Sequence, residues 1–267
     1  MASRKHDRQQ IRHRINEKTY TIKYKEGFIM NSTKFNKKET LVIAHRGLSG
    51  IEKENTMPAF VAAGNRSYFG IETDVHRTSD GRFVIIHDDR TGRVCDTDLS
   101  VEGSSFDDLR ALYLNDRDGG KRIDLRIPTL EEYVGTCARY DKIGVLELKN
   151  DFTSEDIGRI IDIIKAHGQL DRIIFISFSY ENLVKLRRFL PDQKAQYLVG
   201  EYSDALPEKL KRYGFGLDIY YKSLTKEIVD RLHSENIEIN CWTVDSKEDG
   251  ERLADWGVDY ITTNILE

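Results

Sequence analysis

Three carboxylates stand at a spacing that would bring them together in a parallel sheet. Glu72 and Asp74 alternate within FGIETDV, and Glu147 alternates with Lys149 within KIGVLELK. In an extended strand, residues i and i+2 share a face, so the members of each pair point to the same side. Confined carboxylates without a counter-ion repel one another and partly protonate, whereas a divalent cation that prefers oxygen ligands, Mg²⁺ or Ca²⁺, removes the repulsion. The spacing indicates a metal site, although carboxylates that are only solvated or salt-bridged give the same pattern.

Two histidines stand at the ends of other short hydrophobic segments. His45 follows LVIA, and His87 follows FVII. The ordinary pKa of histidine lies near neutrality, so the pair would supply an acid and a base to an anion attracted by Arg46 and Lys149. Phosphoryl chemistry fits this set best. His76 also points inward by strand parity, but it precedes a turn, and we expect it to lie outside the chemistry.

These side chains need a scaffold that brings the ends of several strands to one place. The chain has eight short segments typical of core strands, separated in nearly every gap by amphipathic stretches with apolar residues at i, i+3 and i+4. The segments are 41–46, 69–75, 142–149, 173–178, 195–200, 216–221, 237–244 and 258–264. This alternation predicts an α/β fold, a (β/α)8 TIM-type barrel, with its chemistry at the carboxyl ends of the strands. An open doubly wound sheet is the alternative, but no GxGxxG follows any strand.

Two regions fall outside the alternation. Residues 76–128 contain a turn, a short strand and a polar stretch with little helical period, and we interpret them as a small insertion over the barrel mouth, within one catalytic domain over residues 41–267. Residues 1–40 hold 11 basic and 4 acidic residues, against 30 and 41 in the remainder. This basic N-terminal arm could bind nucleic acid or an anionic membrane. A solvated helix and strand fits it better, because it has no long basic run and no interleaved aromatic residues.

The composition is that of a globular protein. Of 267 residues, 39% are hydrophobic and 32% charged, and Gly and Pro number only 19 and 4, which excludes collagen-like and Pro/Gly-rich disordered chains. No apolar run approaches the roughly 18 residues that cross a bilayer, and the N-terminus lacks the apolar core of a signal peptide, so we expect a cytoplasmic protein. Cys95, Cys137 and Cys241 are widely spaced, which predicts packed, reduced thiols.

Eight motifs occur in an order that resembles one enzyme family. They are IAHRGLSG, ENTMPAF, GIETDVHRTSDGRFVIIHDD, RIPTLEEYV, LELK, ISFS, NCWTVD and GVDYITTN. From about Leu41 to Asn264 the chain resembles the glycerophosphodiester phosphodiesterases, and the block from HRG to HD is the most specific part. The resemblance implies a barrel enzyme that hydrolyses glycerophosphodiesters, as small-molecule substrates, to glycerol 3-phosphate and an alcohol.

The resemblance also implies roles for individual residues. The acid/base pair would be His45 and His87, the ligands of a divalent metal ion would be Glu72, Asp74 and Glu147, and the substrate phosphate would be bound by Arg46 and, from the LELK match, Lys149. Trp242 points inward if Asn240 does, where it would either wall the substrate site or pack in the core. The hydroxyl beside the esterified carbon of glycerol is an internal nucleophile, so we expect a cyclic phosphate intermediate, with His45 as the first base.

Two positions depart from the family pattern. Lys53 stands where proline usually precedes Glu54, which affects the loop shape more than the chemistry, and Glu54 is either a partner of the site or a loop charge. Asp245 replaces the usual Asn after Trp-Thr-Val.

Two other functions compete with this one. The first is a phospholipase D-like cleavage of lysophospholipids, and the second is a non-catalytic module that binds a phosphorylated ligand. The complete set of metal and acid/base positions argues against the second. We expect no nucleic acid partner and no transmembrane segment, and the sequence has no signal for oligomeric state, for headgroup preference or for Mg²⁺ over Ca²⁺.

Overall fold

Eight parallel strands close into a barrel in the computed structural model, which describes residues 31–267. In chain order they are β1 (Leu41–Ala44), β2 (Gly70–Arg77), β4 (Ile143–Leu148), β5 (Ile173–Ser177), β6 (Ala195–Val199), β7 (Gly216–Tyr220), β8 (Ile239–Trp242) and β9 (Tyr260–Thr263). Each strand pairs with its neighbours in the order β1-β9-β8-β7-β6-β5-β4-β2, and pairing of β1 with β2 closes the ring. The predicted (β/α)8 barrel is confirmed, because the strand segments read from the sequence are the barrel strands to within a few residues.

Seven helices lie between the barrel strands and one lies in the segment after β2. Their bounds are α1 (Met57–Gly64), α2 (Phe106–Ala111), α3 (Leu130–Arg139), α4 (Ser154–Ala166), α5 (Tyr180–Phe189), α6 (Leu206–Lys211), α7 (Lys226–Ser234) and α8 (Lys247–Trp256). Local sequence sets several boundaries. Thr129 and Thr153 form capping boxes at α3 and α4, each worth about 1 kcal/mol, and Gly257 ends α8 in the left-handed conformation at φ +86°.

Two apolar layers hold the barrel. The outer layer packs the helices against the strands, and the inner layer fills the barrel with Ile43, Val145, Ile174, Ile176, Leu198 and Tyr260. Burial of each such side chain stabilises the fold by about 1.5–3 kcal/mol. The inner layer fills the barrel below the carboxyl ends of the strands, so polar side chains at those ends project from a rigid, packed support. All three cysteines are buried and free, as the wide spacing predicts.

The segment after β2 has a small core of its own. It contains β3 (Phe83–Ile85), which pairs antiparallel with β2, a short 3₁₀ helix (Thr91–Arg93) and α2. The polar stretch therefore contains one helix that its weak period did not predict, which Ser105 caps. Val84, Ile86, Val94, Cys95, Val101, Leu109, Leu114, Leu125 and Ile127 form its apolar cluster. Ion pairs to Glu52 and Glu54 tie this segment to the loop between β1 and α1.

Residues 1–30 of the basic arm lie outside the described residues. Within 31–40, Thr33 pairs with Leu266, the Asn36 amide donates to Glu251 at 3.1 Å, and Lys38 forms an ion pair with Asp255. The division into an arm and a catalytic domain stays a prediction. Over residues 31–267, every helix is too short or too polar to span a membrane.

Candidate active site

A pocket opens at the carboxyl ends of the barrel strands. The residues that line it are His45, Arg46, Glu72, His87, Glu147, Ile176, Phe178, Leu198, Asp218, Trp242 and Thr262. Six of the eight residues selected from the sequence are among them. The other two touch these residues, since Lys149 forms ion pairs with Asp74 and Glu147. The structure therefore brings all eight together, as strand parity predicts.

The three carboxylates converge closely enough to share a cation. Glu72, Asp74 and Glu147 each offer an oxygen, and these atoms lie within 4.8 Å of one another. Asp74 and Glu147 are paired neighbours on β2 and β4. Asp74 Oδ1 and Glu147 Oε1 are buried, and the Lys149 ammonium forms ion pairs with both atoms, at 3.6 and 2.9 Å. Lone pairs on hard oxygen atoms are thus available, so the residues fit Mg²⁺ or Ca²⁺.

The pKa values of the three carboxylates indicate that additional positive charge would stabilise their ionised forms. Burial and the nearby Asp74 charge raise the pKa of Glu147 to about 7 and raise the pKa of Glu72 well above its usual range. Burial also acts to raise the pKa of Asp74, but the charges of Arg46 and Lys149 outweigh it and lower that pKa to about 2. Full ionisation of all three carboxylates at neutral pH is therefore opposed, and a bound divalent cation would favour it.

Arg46 occupies a strained backbone position that aims both its amide and its side chain into the site. Its φ is +53°, in the left-handed region that costs about 1 kcal/mol or more for a non-glycine residue. The Arg46 amide donates to Glu72 Oε2 at 2.8 Å, and Nη1 donates to Glu54 Oε1 at 2.9 Å. Nε lies 3.6 Å from Asp74 Oδ2 and is buried without a hydrogen-bond partner among the described residues. The Glu54 carboxylate thus orients the Arg46 guanidinium, so Glu54 is a partner of the site and not only a loop charge.

Three side chains form a chain of hydrogen bonds behind His45. His45 Nδ1 lies 2.8 Å from Asn264 Oδ1, and Asn264 Nδ2 donates to Asp245 Oδ2 at 2.6 Å. The Asp245 carboxylate can only accept, so it fixes the Asn264 amide with its oxygen toward His45. His45 Nδ1 therefore carries the proton, and Nε2, 4.0 Å from Glu72 Oε2, keeps its lone pair toward the metal ligands. Burial and the Arg46 charge lower the pKa of His45 to about 4, so the imidazole is neutral at pH 7.

His87 has a charged partner where His45 has a neutral one. Its Nδ1 donates to Asp88 Oδ1 at 2.5 Å, and Arg93 holds the other oxygen of that carboxylate. Burial lowers the pKa of His87, while Asp74 and Asp88 oppose this effect. His76 is buried in β2, as strand parity indicates and not turned to solvent by the turn that follows it, and its Nε2 lies 3.3 Å from the His87 carbonyl oxygen. It contacts the backbone of His87 and does not line the pocket.

An aromatic wall faces the charged groups across the pocket. Trp242 at the end of β8 packs edge-on against Phe178, with 5.8 Å between ring centroids, and at a tilt of 45° against Tyr220, with 5.7 Å between centroids. Phe178 is 47% exposed. Trp242 thus lines the pocket and also packs on the inner apolar layer. The two roles considered from the sequence, a wall of the substrate site and a core residue, each describe part of its position.

Sequence reasoning missed several polar partners of the site. Asn55 donates to Asp74 Oδ2 at 2.7 Å and accepts from the Thr73 hydroxyl at 2.7 Å, which orients that carboxylate. Asp88 directly follows His87, and this adjacency was a usable signal. Asp218 is inward-facing in GLDIYY, and the alternation that found Glu72 and Asp74 could also have found it. Asn264 contacts His45 and Asp245, which are distant from it in the sequence, so no local sequence pattern predicts its role.

Comparison with known proteins agrees with the fold and with the family that the sequence resembles. Residues 45–267 match the model of the glycerophosphoryl diester phosphodiesterase family. A glycerophosphodiester phosphodiesterase from Caldanaerobacter subterraneus subsp. tengcongensis is 32% identical over 237 residues, which cover 86% of this chain and 96% of the relative. One from Bacillus subtilis is 28% identical over 244 residues, with 84% and 83% coverage.

Solved structures give the same result. The Oleispira antarctica phosphodiesterase in complex with the product sn-glycerol-3-phosphate superimposes with a TM-score of 0.79 and 28% identity, over 84% of this chain and 92% of that one. The glycerophosphodiester phosphodiesterase from Thermotoga maritima gives a TM-score of 0.68 and 26% identity, over 84% and 94%.

Proposed function

Because this chain belongs to the glycerophosphodiester phosphodiesterase family and is an enzyme that hydrolyses glycerophosphodiesters, we propose that it does so with a divalent cation and with His45 and His87 as base and acid. One observation carries the proposal. Both imidazoles line the same pocket as the carboxylates, and each is oriented by a hydrogen bond on the ring nitrogen Nδ1.

Glu72, Asp74 and Glu147 would hold the cation. When bound, a divalent cation would stabilise negative charge on the phosphoryl oxygens and neutralise the three carboxylates. Arg46 and Lys149 add two fixed positive charges beside the same carboxylates. They attract the phosphodiester anion and orient its non-bridging oxygens, which are the atoms on which charge develops.

The partners of the two histidines favour different roles. His45 Nδ1 donates to a neutral amide, so its Nε2 is a free base, and no anion stabilises its protonated form through Nδ1. Asp88 is an anionic partner that stabilises a protonated His87, and a bound diester anion would raise the pKa of His87 further. We therefore assign His45 as the first base and His87 as the acid.

The reaction would proceed in two steps. His45 Nε2 takes the proton of the glycerol 2-hydroxyl as its oxygen attacks phosphorus, the bond to the alcohol breaks, and His87 protonates the departing oxygen. The first product is a cyclic glycerol phosphate. Water then attacks phosphorus and gives its proton to His87, while His45 returns its proton to the 2-oxygen, and glycerol 3-phosphate forms. An internal nucleophile held in line is entropically favoured over a recruited water.

The test is an assay on glycerophosphodiesters with different alcohols, with and without a chelator, in which glycerol 3-phosphate is measured. Activity should be lost on chelation and return with Mg²⁺ or Ca²⁺. ³¹P NMR of early time points should detect the cyclic phosphate. Full activity in chelator would remove the cation from the mechanism, and equal rates for a diester without the 2-hydroxyl would favour direct attack by water.

The exposed Phe178 supports a second substrate class. Together with Trp242 and Tyr220 it forms an apolar surface at the rim, on which an acyl chain could lie. Lysophospholipids therefore belong in the same assay. Release of their headgroup at rates above those of the glycerophosphodiesters would favour the phospholipase D-like activity.

A further inference from the structure

Two buried polar atoms in the pocket have no part in the mechanism above. Asp218 Oδ1 and Trp242 Nε1 are both buried and have no hydrogen-bond partner among the described residues. Asp218 is 1% exposed, and both residues line the pocket. A buried polar group without a partner costs about 1–3 kcal/mol, so such groups need an explanation.

The other unpartnered polar atoms at the site are accounted for by the metal and the phosphate. Asp74 Oδ1 and Glu147 Oε1 face a cation position, and Arg46 Nε faces the same side. Asp218 and Trp242 lie on β7 and β8, on the other side of the barrel from β2 and β4. They are two residues apart along adjacent, in-register strands, since Asp218 pairs with Asn240 and Tyr220 pairs with Trp242.

The Asp218 carboxyl is held in place by its neighbour. Asn240 hydrogen-bonds the Asp218 side chain, its Nδ2 also lies 3.3 Å from Gln196 Oε1, and its Oδ1 accepts from the Thr262 hydroxyl at 3.1 Å. Asn240 is thus held by its neighbours, and the two atoms of this group without a hydrogen-bond partner among the described residues are Asp218 Oδ1, which lines the pocket with its residue, and Gln196 Nε2, whose residue does not.

The chemistry of the two atoms identifies the group they would bind. The indole N–H only donates, and a carboxyl oxygen accepts when ionised and can donate when protonated. A hydroxyl both donates and accepts, so it suits this pair whatever the protonation of Asp218. The phosphate itself belongs beside the Arg46 and Lys149 charges, on the other side of the barrel. Burial and the Glu147 charge raise the pKa of Asp218 well above its usual range, and this disfavours the ionised form that an ammonium group would need.

We infer that Asp218 Oδ1 and Trp242 Nε1 bind the terminal hydroxyl of the glycerol moiety, which makes Asp218 a residue that determines specificity. The inference rests on the proposed function, because a phosphodiester centred on the carboxylates has the C1 hydroxyl of its glycerol a few bonds away from phosphorus, within reach of other residues that line the same pocket. The alcohol that leaves then extends toward the rim.

The test compares two diesters that share nitrophenol as the leaving group. One carries glycerol and the other propane-1,2-diol, which lacks only the terminal hydroxyl and keeps the hydroxyl needed for cyclisation. The natural enzyme should prefer the glycerol diester by about 10- to 100-fold in kcat/KM. Asp218→Leu should reduce this ratio to below about 3-fold by removing the hydrogen bond, and Asp218→Asn, which can still accept and donate, should keep most of it.

Controls separate specificity from general damage. Thr136→Val removes a buried hydroxyl on α3, outside the pocket, and should leave the ratio unchanged. Trp242→Phe keeps an aromatic ring but removes Nε1, so it should lower the ratio partially. This second variant decides the question if Asp218→Leu does not fold.

Each other result contradicts the inference. A natural enzyme that does not discriminate between the diesters, an Asp218→Leu enzyme that keeps the full ratio, or an equal loss on both diesters would overturn it. So would a variant in which only the preference for ammonium-bearing alcohols changes. If the natural enzyme cleaves neither diester but remains folded and binds metal, the proposed function itself fails, which is a different result.

Discussion

Asp245→Asn should slow the enzyme by reversing the tautomer of His45. Asp245 accepts from the Asn264 backbone amide at 2.8 Å, from the Thr263 hydroxyl at 3.1 Å and from Asn264 Nδ2 at 2.6 Å. In the variant, the amide oxygen at 245 would stay on the backbone amide and the hydroxyl, so its NH₂ would face Asn264. Asn264 would then turn its oxygen toward residue 245 and its NH₂ toward His45 and Ser49. The Ser49 hydroxyl, which donates to Asn264 Oδ1 at 2.7 Å in the natural protein, would accept from the turned amide and donate to the His45 carbonyl oxygen.

The turned amide opposes the reactive form of His45. A proton on Nδ1 would face another donor, whereas a proton on Nε2 would allow Nδ1 to accept from Asn264. Leaving two buried donors face to face costs about 1–3 kcal/mol, and each 1.36 kcal/mol is about tenfold in a population or a rate. The Nε2 lone pair that acts as base should therefore be depleted, and kcat should fall by about 5- to 150-fold. KM should change little, because Asp245 does not contact the phosphate-binding residues in any hydrogen bond or ion pair of the described residues.

Steady-state kinetics and ¹⁵N NMR of the imidazole together test this reasoning. The kinetics measure the fall in kcat, and the ¹⁵N shifts of His45 report which nitrogen carries the proton. Asp259→Asn is a matched control, since Asp259 also accepts from a histidine, His233 Nε2 at 3.0 Å, but at the opposite end of the barrel. It should leave kcat unchanged. Normal kcat in Asp245→Asn, or an unchanged Nδ1–H tautomer with reduced kcat, would refute the argument.

Three further outcomes are expected. Glu147→Gln should weaken Mg²⁺ or Ca²⁺ binding by about tenfold or more in calorimetry while circular dichroism stays unchanged, and an unaltered affinity would exclude Glu147 as a ligand. His87→Ala should lose far less activity on a nitrophenyl diester than on an alkyl diester, because nitrophenol needs little protonation; if His45→Ala shows this recovery instead, the roles are reversed. Burial acts to raise the pKa of Glu267, but hydrogen bonds from Ser32 and Ser67 lower it to about 2 against an ordinary 4.5, so its stabilisation exists above pH 4.5 and is lost as the pH falls toward 2. In urea unfolding, Glu267→Gln should therefore be less stable than the natural protein at pH 7 and nearly equal to it near pH 2, and an equal difference at both pH values would contradict this assignment.

Strand periodicity was sufficient to predict that the three candidate metal ligands converge. Glu72 and Asp74 share a face because they are two residues apart in β2, and the parallel register then sets Glu147 beside Asp74. Both facts follow from backbone geometry, which alternating sequence reports directly. The same reasoning predicted the barrel, since each strand is short, apolar and followed by a helix with its own capping signal.

Partners that act across the fold could not be predicted in the same way. Asp245 and Asn264 lie 19 residues apart, and their contact depends on the ends of β8 and β9 meeting at one edge. Each alone is an ordinary loop residue. His76 shows the same limit, because strand parity indicated that it points inward but could not predict its contact with the His87 carbonyl oxygen.

The distribution of side chains around the mouth determines how a diester must lie. Arg46, Lys149 and the three clustered carboxylates lie in or directly after β1, β2 and β4. Phe178, Tyr220 and Trp242 lie in or directly after β5, β7 and β8. A phosphodiester is an anionic centre with two organic arms, so its centre belongs on the first side and its arms on the second. The two organic arms would contact different kinds of side chain. Asp218 lies two residues before Tyr220 in β7, on the same face of the strand, and is buried at the floor of the pocket. Phe178 is exposed at the rim. With Asp218 and Trp242 as the inferred partners of its terminal hydroxyl, glycerol would suit the floor, and the exposed Phe178 ring would contact the leaving alcohol through apolar surface. Because apolar contact depends little on the direction of the partner's polar groups, we expect the pocket to be strict for glycerol and permissive for the leaving alcohol.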